Sequence, residues 1–96
     1  MKVGILRINL RLPENSSLKG KRQILKPITA QLKNRFNVSV AEVDGNDLWQ
    51  RASLGVCCVS NDGSHVDEML SRVMNFVSGG QFDIEILGSE IEIISF

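Results

Sequence analysis

Two hydrophobic periods alternate along this chain, and their order restricts the fold more than any other feature of the sequence. Between residues 6 and 12 apolar side chains alternate with polar ones, which is the period of a half-buried β-strand. Apolar residues then recur at spacings of seven, three and four, which gathers them on one side of an α-helix: Leu18, Leu25, Ile28, Leu32 and Phe36. The first third of the chain is therefore predicted to form a strand followed by a helix.

Both periods return in the remaining two thirds. Residues 37–43 and 51–60 alternate and predict two strands joined by a long connection. A second helical stripe follows them: Val66, Met69, Leu70, Val73 and Phe76 or Val77. The last alternation starts at Phe82, and its parity changes near Gly88 and Ser89, which predicts a β-bulge or a short break in a final strand.

The resulting order, β-α-β-β-α-β, predicts the fold class. Right-handed crossovers turn this order into a ferredoxin-like α+β sandwich, with a four-stranded antiparallel sheet and two helices on one of its faces. The first and third strands lie in the centre, and the other face of the sheet stays open. No stretch rich in Pro, Gly or Ser divides the 96 residues, so residues 1–96 are predicted to form a single domain.

Helix boundaries are also marked in the sequence. Ser17 is placed to cap the first helix, and residues 61–64 supply capping groups for the second. Pro27 lies inside the first helical segment, where it removes a backbone hydrogen bond at a cost of about 3 kcal/mol. We therefore expect a kink there, or a separate first turn.

Signatures of enzymes, metal sites and membrane segments are missing from the sequence. Cys57 and Cys58 lack C-x-x-C spacing and are expected to be reduced, buried small side chains. His65 is the only histidine, and there is no Gly-rich nucleotide loop. We predict a protein that is not an enzyme, with no catalytic residue, metal or cofactor. No apolar run reaches membrane-spanning length, so we expect a cytoplasmic protein with no membrane partner.

A zero net charge conceals a strong asymmetry. Residues 1–36 carry nine Lys and Arg against one Glu, and residues 37–96 carry two Arg against ten Asp and Glu. On the first helix, four cations fall within about 60° of one another: Lys19, Arg22, Lys26 and Lys33. They predict a basic stripe that could contact nucleic-acid phosphates, although an ordinary solvated helix face is the alternative.

The open face of the sheet is expected to carry polar and apolar residues of the first strand, namely Val3, Ile5, Arg7, Asn9 and Arg11. Asp83 and Glu85 on the neighbouring last strand should form ion pairs with these cations. No aromatic residue occupies this face, whereas sheets that read single-stranded RNA stack bases on aromatic side chains. Contact with RNA is therefore predicted to involve phosphates rather than bases.

The connection between the second and third strands concentrates carboxylates, amides and the only Trp. It is predicted to be a partner-binding loop formed by Asp44, Asp47, Trp49, Gln50 and Arg51. The alternative is that Trp49 anchors the loop itself or a dimer contact. Glu42, Asp44 and Asp47 could ligate a hard cation, but their spacing is not that of an EF-hand.

Three segments resemble a known family: SLKGKRQILKPI, RFNVSVAEVDGNDLWQRASLGV and VSND. At these separations they closely resemble the bacterial YlxP-like family of small uncharacterised proteins. The resemblance implies a ferredoxin-like sandwich in a bacterial cytoplasmic protein whose family genes often lie among translation and ribosome-maturation genes. It implies no catalytic residue. Family members typically have Glu where this chain has Gly20, and that Glu would complete a capping box with Ser17.

Two functions follow as hypotheses. The first is an RNA- or ribosome-associated binding module, with ribosomal RNA or a ribosomal subunit as the partner. The alternative is a homodimer or larger homo-oligomer without nucleic-acid binding, in which a second subunit covers the Trp49 loop or the open face at Val3, Ile5 and Val59. Salt dependence separates the two, because phosphate binding weakens steeply with salt and an apolar interface does not.

Overall fold

The computed structural model describes all 96 residues and contains four strands and two helices. The strands form one antiparallel sheet in the order β2-β3-β1-β4, so the predicted fold and the two central strands are confirmed. The elements are β1 (Lys2–Arg11), α1 (Leu18–Arg35), β2 (Ser39–Asp44), β3 (Arg51–Ser60), α2 (Gly63–Val77) and β4 (Glu85–Ser95).

A single apolar core lies between one face of the sheet and the two helices. The side chains of β1 and β3 that point to this face alternate along each strand, and the buried side chains of α1 and α2 pack onto them. Burying each large aliphatic side chain stabilises the fold by about 1.5–3 kcal/mol. The core comprises Leu6, Ile8, Leu10, Leu12, Leu25, Ile28, Leu32, Ala52, Leu54, Val56, Val66, Leu70, Val73 and Val77.

Helix α1 starts where the sequence predicts. The Ser17 hydroxyl accepts a hydrogen bond of 3.0 Å from the Gly20 amide and so caps the first turn. The helix then runs through Pro27 without interruption, so the expected separate first turn does not form. Pro27 has no backbone N–H to donate to the carbonyl of Gln23. Both residues are exposed, so water can donate a hydrogen bond to that carbonyl instead.

Helix α2 also has the predicted ends. The Asp62 carboxylate accepts hydrogen bonds from the amide and the hydroxyl of Ser64, and these bonds lower the pKa of Asp62 below its ordinary value. Ser78 ends the helix.

The predicted change of parity in β4 is a β-bulge. Ile86 pairs with Leu10 and Gly88 with Asn9, which leaves Leu87 as the extra residue. The strand begins at Glu85 rather than at Phe82. The Phe82 ring instead packs edge-on against Phe76, with 5.7 Å between the ring centroids.

One expected ion pair on the open face forms, and another has a different partner. Arg11 lies 3.0 Å from Glu85 of the neighbouring strand, as predicted. Arg7 instead reaches Asp44 at 3.0 Å, across β3. Neither helix is both long and apolar enough to cross a membrane.

Candidate functional site

The basic stripe on α1 is the first part of the site. Its members, Lys19, Arg22, Lys26 and Lys33, are all exposed, and none lies within 4.0 Å of a carboxylate. Arg22 and Lys26 line an open groove of about 320 Å³ together with Thr29 and Glu42, between α1 and the edge strand β2. These two cations therefore lie at the flank of the helix beside the sheet edge, as the sequence predicts.

Most of the remaining cations are occupied by partners within the protein. Arg7, Arg11, Lys21 and Arg72 form ion pairs with Asp44, Glu85, Glu42 and Glu68. Lys2 donates a hydrogen bond to Ser95, and Arg35 lies over the ring of Phe76. The cations without any such partner are the four stripe residues and Arg51. All five belong to the two predicted sites.

Lys21 fixes the loop that forms the second part of the site, which we call the Trp49 loop (residues 44–51). Its ammonium group is buried, with only 2% of the side chain exposed. Nζ donates hydrogen bonds to the carbonyls of Gly45 at 2.6 Å and Leu48 at 2.8 Å, and it lies 2.6 Å from Glu42 Oε2. This last contact is coulombic rather than a well-directed hydrogen bond, and Glu42 Oε2 has no other partner. One buried cation thus joins α1, β2 and the loop.

Asn15 fixes the other side of the loop. Its Nδ2 donates to the carbonyl of Ser17 at 2.9 Å and to the carbonyl of Trp49, and Gln50 Nε2 returns a hydrogen bond of 3.2 Å to the Asn15 carbonyl. Gly20 lets Asn15 approach, since a Cβ on Gly20 would lie 2.3 Å from Asn15 Oδ1. A Glu at that position would require Asn15 to move.

The half-exposed Trp49 side chain is not the anchor of the loop, and the other alternative, a dimer contact through Trp49, stays a prediction. The indole is 54% exposed, and Leu48 beside it is equally open. The backbone contacts of Lys21 and Asn15 hold the loop and leave the apolar side chains facing solvent.

The other predicted loop residues have different surroundings. Asp44 is paired with Arg7, Gln50 bonds Asn15, and Asp47 is exposed and unpaired. Arg51 is exposed on the open face and lines a depression of about 240 Å³ with Arg7, Asn9, Leu48 and Leu87, among others.

Sequence reasoning missed Lys21 and Asn15, although one of them carried a signal. Lys21 follows Leu18 by three residues and precedes Leu25 by four, which is the spacing of the apolar stripe. A lysine at that spacing indicates a buried cation with dedicated acceptors. Asn15 lies in a turn, and nothing in the sequence indicates its long-range partners.

The carboxylates near the loop do not form a cation site. Glu42 and Asp44 are neutralised by Lys21 and Arg7, and nowhere do three His, Cys, Asp or Glu side chains come together as metal ligands. His65 is exposed in the first turn of α2.

The two cysteines point to opposite faces of β3, and only one is even partly buried. Cys57 is exposed on the open face, which corrects the expectation that both thiols are buried. Burial raises the pKa of the Cys58 thiol, the neighbouring Cys57 raises it further, and a backbone hydrogen bond from Gly4 opposes the change.

We expect Cys57 to react at least tenfold faster than Cys58 with a small thiol reagent at pH 8, because the thiolate is the reactive form and Cys58 is both shielded and harder to ionise. Mass spectrometry of partly alkylated protein, with Cys57→Ser and Cys58→Ser as references, measures the two rates. Equal alkylation rates for Cys57 and Cys58 would contradict the difference in exposure between the two thiols.

Fold and surface together define the chain as a small ferredoxin-like α+β domain. Comparison with known families gives the closer assignment: residues 3–91 match the family described as "Protein of unknown function (DUF503)", and the chain belongs to that family. This chain is 36% identical over 75 residues to the uncharacterized protein YlxP of Bacillus subtilis (strain 168). The aligned segment covers 78% of this chain and 82% of the relative. The resemblance to the YlxP-like family is thereby confirmed.

One solved structure supports the fold alone. The de novo designed protein Foldit4 superposes with a TM-score of 0.55 over 100% of this chain and 99% of its own, at 12% sequence identity. A designed protein with so little sequence in common gives no information on function.

Proposed function

We propose that this protein is a non-enzymatic RNA-associated binding module whose α1 basic stripe contacts the phosphates of ribosomal RNA in a ribosomal subunit. The observation that carries the proposal is the distribution of free cations. Internal carboxylates neutralise Arg7 and Arg11 of the open face, whereas Lys19, Arg22, Lys26 and Lys33 have no partner. Unpaired exposed cations on one surface are the groups that can neutralise phosphates.

The spacing of the stripe suits a polymer better than a single small anion. Lys19 and Lys33 are 14 residues apart along α1, which corresponds to about 21 Å of helix. Four contacts spread over that length can follow several phosphates of one strand. The gene neighbourhood implied by the family resemblance favours RNA over DNA.

The Trp49 loop supplies a different kind of contact in this proposal. Asp47 is unpaired and repels phosphate, and Arg51, the unpaired cation of the loop, lies on the open face of the sheet. Next to the stripe the loop therefore contributes the face of the exposed indole rather than positive charge. Arg22 lines a groove of about 250 Å³ together with Asn46 and Asp47, so one end of the stripe adjoins the loop. The sheet face has no aromatic platform for bases, but an unpaired base next to stripe-bound phosphates could stack on Trp49 of the loop, and such stacking contributes about 1–3 kcal/mol.

The proposal predicts salt-sensitive co-sedimentation with purified bacterial ribosomal subunits. Four phosphate contacts give a slope of about −3 in a plot of log affinity against log salt concentration, so affinity should fall about 50-fold between 50 and 200 mM salt. A variant with Glu at Lys19, Arg22, Lys26 and Lys33 should lose binding while keeping its circular dichroism spectrum.

A pair of variants with equal charge change controls for net charge. Arg22→Glu/Lys26→Glu removes two stripe cations, and Lys2→Glu/Arg72→Glu makes the same change of −4 elsewhere on the surface. The first variant should bind at least tenfold more weakly than the second. An equal loss of affinity in both variants, or an affinity that does not depend on salt concentration, would contradict specific phosphate contact by the stripe.

Trp49 gives an independent readout, because the chain has one Trp and no Tyr. Stacking of a base should quench its fluorescence on titration with a single-stranded RNA oligonucleotide, and Trp49→Ala should weaken binding about tenfold. Binding without quenching would leave the stripe as the contact and remove Trp49 from the proposal.

A further inference from the structure

β4 is an edge strand whose outer side is free to pair with another strand, and the proposed RNA contacts do not use this edge. β4 has 11 residues and pairs on one side only, with β1. Its unpaired backbone groups form a row that can extend the sheet. The other edge strand, β2, has six residues, contains a register shift between Glu42 and Asp44, and pairs both of those carboxylates with cations. Short and irregular edges resist strand addition, so the edge on offer is that of β4, which keeps one register from Gly88 to Ser95 beyond its bulge at Leu87.

The side chains of β4 make this edge apolar on the helix side of the sheet. Ile91 and Ile93 face the same side as the core, opposite Leu6 and Gly4 of β1, yet they are 44% and 38% exposed. The helix α2 packs chiefly over β1 and β3 and leaves the outer side of β4 uncovered. A further strand next to β4 would cover both isoleucines.

The opposite side of the same edge is acidic. Glu90 and Glu92 lie across from Arg7 and Ile5 of β1, so they belong to the open face. Arg7 is engaged by Asp44, and neither glutamate has an ion-pair partner. An incoming strand therefore meets apolar side chains on one face, and on the other two free carboxylates followed by Ile94, which is 39% exposed.

We propose that β4 binds an extended segment of a partner protein in which Lys or Arg alternates with Val or Ile, adding it to the sheet as a fifth strand. Backbone hydrogen bonds supply the affinity, the basic residues face Glu90 and Glu92, and the aliphatic residues cover Ile91 and Ile93. A second copy of this chain fits less well, because antiparallel β4–β4 pairing gathers the carboxylates of both strands on one face.

The test uses a fluorescein-labelled eight-residue peptide that alternates Lys and Val, with fluorescence anisotropy as the measurement. Saturable binding is expected, and Glu90→Lys/Glu92→Lys should weaken it about tenfold. The control Glu14→Lys/Asp67→Lys makes the same charge change at two exposed carboxylates away from β4, and it should change affinity less than twofold.

A second peptide separates strand addition from simple charge attraction. Methylation of every second backbone nitrogen keeps the charges but removes hydrogen-bond donors from one edge, and binding should fall at least tenfold. No saturable binding, or equal affinity for the methylated peptide, would overturn the proposal. Sedimentation equilibrium that shows a dimer disrupted by Ile91→Lys would also overturn it, since a second copy would then occupy the edge.

Discussion

Lys21→Met is expected to lower the free energy of unfolding by about 3 kcal/mol. The substitution keeps an unbranched apolar side chain that matches Lys in length up to Cε, and it removes the buried ammonium group. The Glu42 carboxylate then loses its only partner, and the carbonyls of Gly45 and Leu48 each lose a hydrogen bond. Breaking a buried ion pair from one side is costly because an uncompensated charge remains. The melting temperature should fall by about 15 °C in a domain of this size.

Urea unfolding followed by far-UV circular dichroism measures this loss. Trp49 is exposed in the folded protein, so its fluorescence is a poor reporter of unfolding. The matched control is Arg22→Met, because Arg22 is the adjacent cation, exposed and unpaired, and its loss should change the stability by less than about 0.5 kcal/mol. Lys21→Met/Glu42→Leu should recover at least half of the loss, because it removes both charges. Equal small effects of Lys21→Met and Arg22→Met would show that Lys21 does not hold the loop.

Gly4→Val is expected to destabilise the fold by about 3 kcal/mol or to prevent folding. Gly4 is buried in β1 directly beneath α2, and a Cβ there would lie 2.2 Å from Val66 Cγ1 and 2.9 Å from Leu70 Cδ1. Neither atom can move freely inside a packed core, so the helix must shift away from the sheet. Thermal unfolding at equal protein concentration measures the effect.

A double-mutant cycle tests the close contact between helix and sheet. Gly4→Ala and Val66→Ala should each destabilise the protein, but the double variant should be at least 1 kcal/mol more stable than the sum predicts, since the new methyl group fills the space that Val66 vacates. Gly88→Ala is the matched control, because a Cβ at Gly88 meets nothing within 4 Å. Additive effects in the cycle would contradict the contact.

The sequence by itself determined the element order, the sheet topology and the surface of α1. Alternating and helical periods are local properties that mark which side of each element is apolar, and the right-handed crossover rule then leaves few topologies. The exposed stripe was predictable for the same reason, since Lys19, Arg22, Lys26 and Lys33 lie beside the apolar side of one helix. The bulge at Leu87 was also predictable, because the apolar residues of the last strand change from even to odd positions there.

Only the tertiary structure decided how individual polar residues are used. Lys21 and Lys19 are two residues apart in one basic segment, yet one is buried against the Trp49 loop and the other is free in solvent. Arg7 pairs with Asp44 across β3 rather than with the neighbouring last strand, and Trp49 is exposed because Lys21 and Asn15 hold the backbone of its loop. The helical spacing of Lys21 indicates burial, but the partners of a charged side chain lie tens of positions away, and a local period carries no information about which residues they are.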